Sequence, residues 1–143
     1  MDYEEYQEKC EKIRTDNKIL LDEFTTLLEK KGLSKKTIKK HKENIDFYIN
    51  EYLLRTEPKK PEEGVSGFLV DDFLGYFFIK KCLWSSKETI KDYCAGLKKF
   101  YKFMLDQDRI EKVDYQELQE AIKDRKSLWL EEMDAWLDYD GGW

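Results

Sequence analysis

Histidine occurs once in these 143 residues, proline twice and cysteine three times, and the longest unbroken apolar run is Tyr76–Ile79. The single His41 rules out a two-histidine metal site and leaves one imidazole for any nucleophile–base pair. Cys10, Cys82 and Cys94 lie far apart, with no Cys-x-x-Cys or Cys/His pairing. Reduced thiols in a core are therefore expected, and no metal. So short an apolar run cannot cross a bilayer. Met1 leads straight into Asp2, Glu4 and Glu5 with no basic, apolar leader, so a cytoplasmic location is expected. Few Gly and Pro, widely separated, argue against a turn-rich sandwich and for helices. No convergent acid–base or metal constellation appears, so the expectation is a protein that is not an enzyme and takes no cofactor.

What is present is enough for a core. Apolar residues make up 41% and aromatic residues 15% of the chain, against 40% charged. The length suits one domain. The net charge of −5 is unevenly spread: residues 1–29 carry −5, residues 30–105 carry +7 and residues 106–143 carry −7. A basic centre between acidic ends implies either a middle that faces a polyanion or ends that fold against it.

Periodicity predicts the elements. Tyr6, Cys10 and Ile13, then Leu20, Leu21, Phe24, Leu27 and Leu28, have helical spacing, and Thr15-Asp16-Asn17 either caps a second helix or is read through. Gly32 supplies a C-terminal stop. Ser34 is an N-cap candidate for a helix with Ile38, Ile45, Tyr48, Ile49 and Tyr52 on one stripe, ending near Arg55 ahead of Pro58. Residues 56–67 read as a surface loop. Phe68–Leu83 reads as an apolar helix whose start is marked by Asp71-Asp72. Ser86 caps a fourth helix with Ile90, Tyr93, Cys94, Leu97, Phe100, Tyr101 and Met104, ending near Leu105. Asp114-x-x-Glu117 has the form of a capping box. Leu118, Ile122, Trp129, Met133, Trp136 and Leu137 predict one long or two short acidic amphipathic helices over about 114–139, with residues 140–143 frayed unless Trp143 finds a pocket.

One pattern repeats. Ser34-Lys-Lys-Thr37-Ile38-Lys39-Lys-His41 returns as Ser86-Lys-Glu-Thr89-Ile90-Lys91-Asp-Tyr93, identical at five of eight positions and offset by 52 residues. Apolar matches continue at Ile45/Leu97, Tyr48/Phe100 and Leu53/Leu105. Two helices that share a good capping solution would give such a match, but caps alone do not require the shared lysines.

Residues 30–38 (Lys-Lys-Gly-Leu-Ser-Lys-Lys-Thr-Ile), an aromatic-rich helix, a loop, and residues 86–104 together resemble the N-terminal core-binding domain of tyrosine recombinases and phage integrases. The resemblance covers about residues 18–112. It implies an all-α fold, a four-helix SAM-like orthogonal bundle that closes over one side of double-stranded DNA with its second and fourth helices. Residues 1–17 would then be an N-terminal helical extension and residues 113–143 an acidic helical appendage. The family's catalytic domain, with its two Arg and nucleophilic Tyr, has no counterpart here, and His41 begins His-Lys-Glu-Asn rather than His-x-x-Arg. Strand cleavage by this chain is not expected.

The expected DNA contacts are Ser34, Lys35, Lys36, Thr37, Lys39 and Lys40 on the second helix and Ser86, Lys87, Thr89, Lys91 and Lys98 on the fourth. Lysines neutralise phosphates, and hydroxyls and helix-start N–H groups grip them. A solvated lysine face that serves solubility alone has the same composition. Neither helix start carries an Arg or Asn to read bases. His41 and the aromatics Phe47, Tyr48, Phe73, Phe77, Phe78, Phe100 and Tyr101 are expected in the core. The acidic C-terminal helices, with their tryptophans, suit a protein partner. Together with the net acidity they support an alternative, a helical protein–protein interaction module with no nucleic-acid role.

Overall fold

Asp2 starts the first helix: its carboxylate accepts the Glu5 N–H at 2.9 Å, and α1 (Tyr3–Lys30) follows. Thr15-Asp16-Asn17 does not interrupt it. Thr15 turns its hydroxyl back to the Glu11 carbonyl (2.9 Å), and Asn17 points inward. Gly32, at φ 82°, ends α1 in a Schellman turn, with Gly32 N–H to Glu29 O and Leu33 N–H to Leu28 O. The computed structural model describes residues 1–141, with side chains through Tyr139, and among these residues every regular element is helical. Asp140 and Gly141, expected to fray, continue the last helix, and the expectation for Gly142 and Trp143 lies outside the described residues. Two units divide the chain, Met1–Gly64 and Val65–Trp143.

In the first unit α1 packs on α2 (Lys35–Phe47) and on the π-helical turn Tyr48–Tyr52 that prolongs it. The expected α-helix to Arg55 thus changes register eight residues early. A π turn disturbs the regular carbonyl ladder, and α1 side chains meet carbonyls there. Asn17 donates to Ile49 O (3.4 Å) and to Asn50 Oδ1 (2.7 Å), and Arg14 donates to Asn50 O (3.2 Å). Tyr6 hydroxyl donates to Leu54 O. The core is the inner stripe of both helices: Leu20, Leu21, Phe24 and Leu28 from α1, and Ile38, His41, Ile45 and Tyr48 from α2 and its extension. Residues 56–67 are not simply a surface loop. Pro58, Pro61, Gly64 and Val65 are buried, Pro61–Val65 forms a 3₁₀ turn, and Tyr48 hydroxyl donates to Gly64 O at 2.7 Å.

The second unit opens at Ser66, whose hydroxyl accepts the Leu69 N–H and caps α3 (Gly67–Asp72). Asp71-Asp72 therefore does not start this helix but ends its α-register. The chain continues through a π turn (Phe73–Phe77) into α4 (Phe78–Lys81). After α5 (Lys87–Asp106), a second Schellman turn with Asp108 at φ 57° leads to α6 (Lys112–Gly141). The capping box expected at Asp114 is shifted: Asp114 is the residue that reaches back, accepting the Glu111 N–H at 3.0 Å. The acidic C-terminal segment is a single helix that packs on α3, the π turn, α4 and α5. It buries Leu118, Ile122, Trp129 and Met133. An aromatic cluster joins the π turn and α4 to α5, with Tyr93 edge-on to Phe73 (5.1 Å) and Phe78 (4.9 Å).

Candidate nucleic-acid interface

The first set of expected DNA contacts lies on the opening two turns of α2. Ser34, in extended geometry (φ −66°, ψ 154°), accepts the Thr37 N–H at 3.2 Å and donates its hydroxyl to Thr37 Oγ1 at 2.9 Å. Both hydroxyls are occupied by the cap. Lys35, Lys36, Lys39 and Lys40 are exposed, on an arc of roughly 140° away from the buried Ile38, His41 and Ile45. Lys35 and Lys36 form no ion pair among the described residues. Lys39 meets Glu43 at 3.7 Å, with both side chains well exposed, so the pair contributes little. No acidic residue stands in the first turn of α2.

That last feature runs against helix stability. The helix N-terminus carries about half a positive charge, and ammonium groups beside it are unfavourable by a few tenths of a kcal/mol each. Residues 30–42 contain seven lysines and no acid. The resulting field at this end of α2 favours an external anion.

The second set lies on α5 in the other unit. Ser86 and Thr89 form a complete capping box: Thr89 N–H to Ser86 Oγ at 3.1 Å and Ser86 N–H to Thr89 Oγ1 at 2.8 Å. Lys87, Lys91 and Lys98 share one face by helical spacing, spread over about 17 Å of axis. All three are exposed, but Lys87 pairs with Asp134 of α6 at 3.1 Å. Farther along, Lys102 is held by Asp106 at 2.8 Å. The structure thus brings together six of the expected residues on α2 and aligns five along α5. In both sets it commits the hydroxyls to caps, while Lys87 is held by Asp134 and Lys39 lies beside Glu43.

Four of the matched pairs of the repeat serve the same purpose in each unit: Ile38 and Ile90, His41 and Tyr93, Ile45 and Leu97, and Tyr48 and Phe100 are all buried. The match of Leu53 to Leu105 does not extend to burial, since Leu53 is buried and Leu105 only half-buried. Burial pushes the Tyr93 phenol well above its usual range, with the nearby Cys82 adding to the effect. It also pushes the Cys82 and Cys94 thiols up to about 11, so neither is a nucleophile near neutral pH. Phe47 and Phe77 are only half-buried. Among the described residues no three His, Cys, Asp or Glu side chains are placed to hold a metal ion, and no helix is long and apolar enough to cross a membrane.

Sequence reasoning did not find the polar centre of the second unit. Asp71 Oδ1 accepts from Trp129 Nε1 at 2.7 Å and Arg125 Nε at 3.1 Å, while Oδ2 accepts from Arg125 Nη2 at 3.3 Å. This ties α3 to α6. Trp129 is 1% exposed, which removes it from the tryptophans available to a partner. It reaches Asp71 across Gly75, where a Cβ would lie 2.8 Å from the indole Cδ1. Above this junction is an open groove of about 410 Å³, walled by Phe68, Tyr76 and Leu128 and rimmed by Asp72 and Glu132. No protein-family model, curated protein or solved structure matches this chain.

Proposed function

We propose that this protein binds double-stranded DNA without cutting it, as a core-binding-like module acting in the cytoplasm in DNA recombination or integration. The observation that carries the reading is the start of α2, where exposed Lys35 and Lys36 stand at the positive end of a helix that has no acid in its first turn. A purely structural helix gains stability from the opposite arrangement. Lys39, Lys40, Lys30 and Lys31 extend the positive surface, and Lys91 and Lys98 supply a second set on α5. Ser34, Thr37, Ser86 and Thr89 hold the helix starts in shape, and Lys87 joins the contact only by exchanging Asp134 for phosphate. Each phosphate neutralised releases condensed counterions and steepens the salt dependence of log K by about 0.9. Contacts of this kind position the protein without reading bases.

Fluorescence anisotropy on a generic duplex at low and moderate salt tests this. Binding should weaken steeply with salt, with a slope of roughly −3.6 to −5.4 for four to six contacted phosphates. It should be lost in the Lys35/Lys36/Lys39/Lys40→Glu variant. A wild-type protein that fails to bind at low salt, or a variant that binds like wild type, overturns the proposal. The second reading, a helical protein–protein interaction module, is favoured by the groove of the second unit, with its exposed Phe68 and Tyr76.

A further inference from the structure

Two exposed apolar features of the second unit complement each other. One is a protrusion. Cys82 leaves helical geometry (φ −112°, ψ 119°), and the two residues that follow face solvent, Leu83 completely (102% exposed) and Trp84 by half (53%). Lys81 beside them is exposed and forms no ion pair among the described residues. The other is the groove between α3, its π turn and α6. Its walls are Phe68 (80% exposed), Tyr76 and Leu128, its floor is Gly75 and Trp129, and Glu132 stands at its rim.

We infer that the Leu83–Trp84 protrusion of one copy of this chain seats in the Phe68–Tyr76–Leu128 groove of a second copy, with Lys81 meeting Glu132 across the contact. The charges choose the occupant. A cleft walled by Phe68, Tyr76 and Leu128 and lined also by Asp71, Asp72, Glu132 and Arg125, three carboxylates to one cation, receives an apolar tip flanked by a cation, and this chain presents such a tip on its own surface. The chemistry on both sides also agrees, since an indole and an aliphatic side chain meet two aromatic rings and a leucine. The groove's volume of about 410 Å³ leaves room for two large side chains. Removing one of them from water is worth about ten- to a hundredfold in an association constant. The same surface arrangement left bare is costly in water for both partners. Because each copy carries both halves, the contact can close reciprocally in a pair or run in series.

Sedimentation equilibrium of the full chain, from micromolar to millimolar concentration, provides the test. The mean mass of the wild type should rise from one chain toward two or more. Leu83→Asp and Phe68→Asp should each weaken association by at least about tenfold, holding the protein at the mass of one chain. Both positions are exposed, and thermal melts matching wild type show that each variant is folded. The decisive measurement is the equimolar mixture. The first variant keeps an intact groove and the second an intact protrusion, so heavier species should return on mixing although neither variant forms them alone. Lys81→Glu and Glu132→Lys should behave as a milder pair, weak singly and stronger together. A wild type that stays at one chain throughout overturns the inference and leaves the groove to another partner. Association that survives Leu83→Asp or Phe68→Asp, or a mixture that does not recover, overturns it as well.

Discussion

The helix starts at Ser34 and Ser86 share a sequence and differ in their surroundings. Both caps close through a serine and a threonine three residues apart, and both place an isoleucine in the core. The α5 start then gains Glu88 in its first turn and an ion pair from Lys87 to Asp134 of α6. The α2 start gains neither, and its first lysines keep their charge uncompensated. One local instruction therefore yields a charge-balanced helix start in the second unit and a charge-rich one in the first. The cap is written in eight residues, whereas the use of the lysines depends on what the rest of each unit brings near them.

Three sets of substitutions break or sharpen this contrast. The largest effect belongs to the helix that balances α5. Trp129→Ala removes a buried indole and its bond to Asp71, and should lower unfolding stability by about 3–5 kcal/mol in a urea titration. A loss below about 1 kcal/mol would mean that α6 is not held by this anchor. Next are the caps. Ser86→Ala and Ser34→Ala should each cost about 1 kcal/mol, whereas Thr89→Val should cost more than Thr37→Val, because only the Thr89 hydroxyl accepts the N–H of its cap residue. Equal shifts of the two valine variants in thermal unfolding would show that the reciprocal bond adds nothing. The smallest concerns the helix ends, where α1 and α5 use the same Schellman geometry with Gly32 in one and Asp108 in the other. Asp108→Gly should raise stability by a few tenths of a kcal/mol and Gly32→Asp should lower it, since an L-residue at positive φ is strained. The same melting experiment reads both signs.

Much of the fold is legible because apolar spacing and helix punctuation act locally. Gly32, Ser34 and Ser86 mark their boundaries correctly, and α5 runs within a residue or two of its expected span. The misplaced boundaries have different causes. Asp71-Asp72 has the composition of a helix start, yet Asp71 is held by Trp129 and Arg125, more than fifty residues away in sequence, and no spacing rule supplies such a tertiary partner. Asp114 errs only locally, as the residue that reaches back three positions to the Glu111 N–H rather than the cap itself. The two π turns escape for a similar reason, since the periodicity of an apolar stripe tolerates one additional residue. In the candidate interface the positions of the lysines can be read from the sequence. Which of them is paired cannot, because the Lys87 partner lies 47 residues downstream on α6.

The close approach of α3 to α6 fixes how these two rods can be edited. Gly67 faces Ala121 and Gly75 faces Trp129, so both strands of contact advance by eight residues in the same direction. On α6 that interval is regular helix, about 12 Å of rise. On the facing side it passes into the π turn. A π turn takes up one residue more than ordinary helix needs for the same advance. Converting it to ordinary helix at constant length would rotate everything beyond it by about 100°, and the indole would then meet a side chain in place of bare backbone. Any insertion or deletion between Gly67 and Gly75 has to keep that phase, which makes the two rods a pair of matched rulers rather than two independent helices.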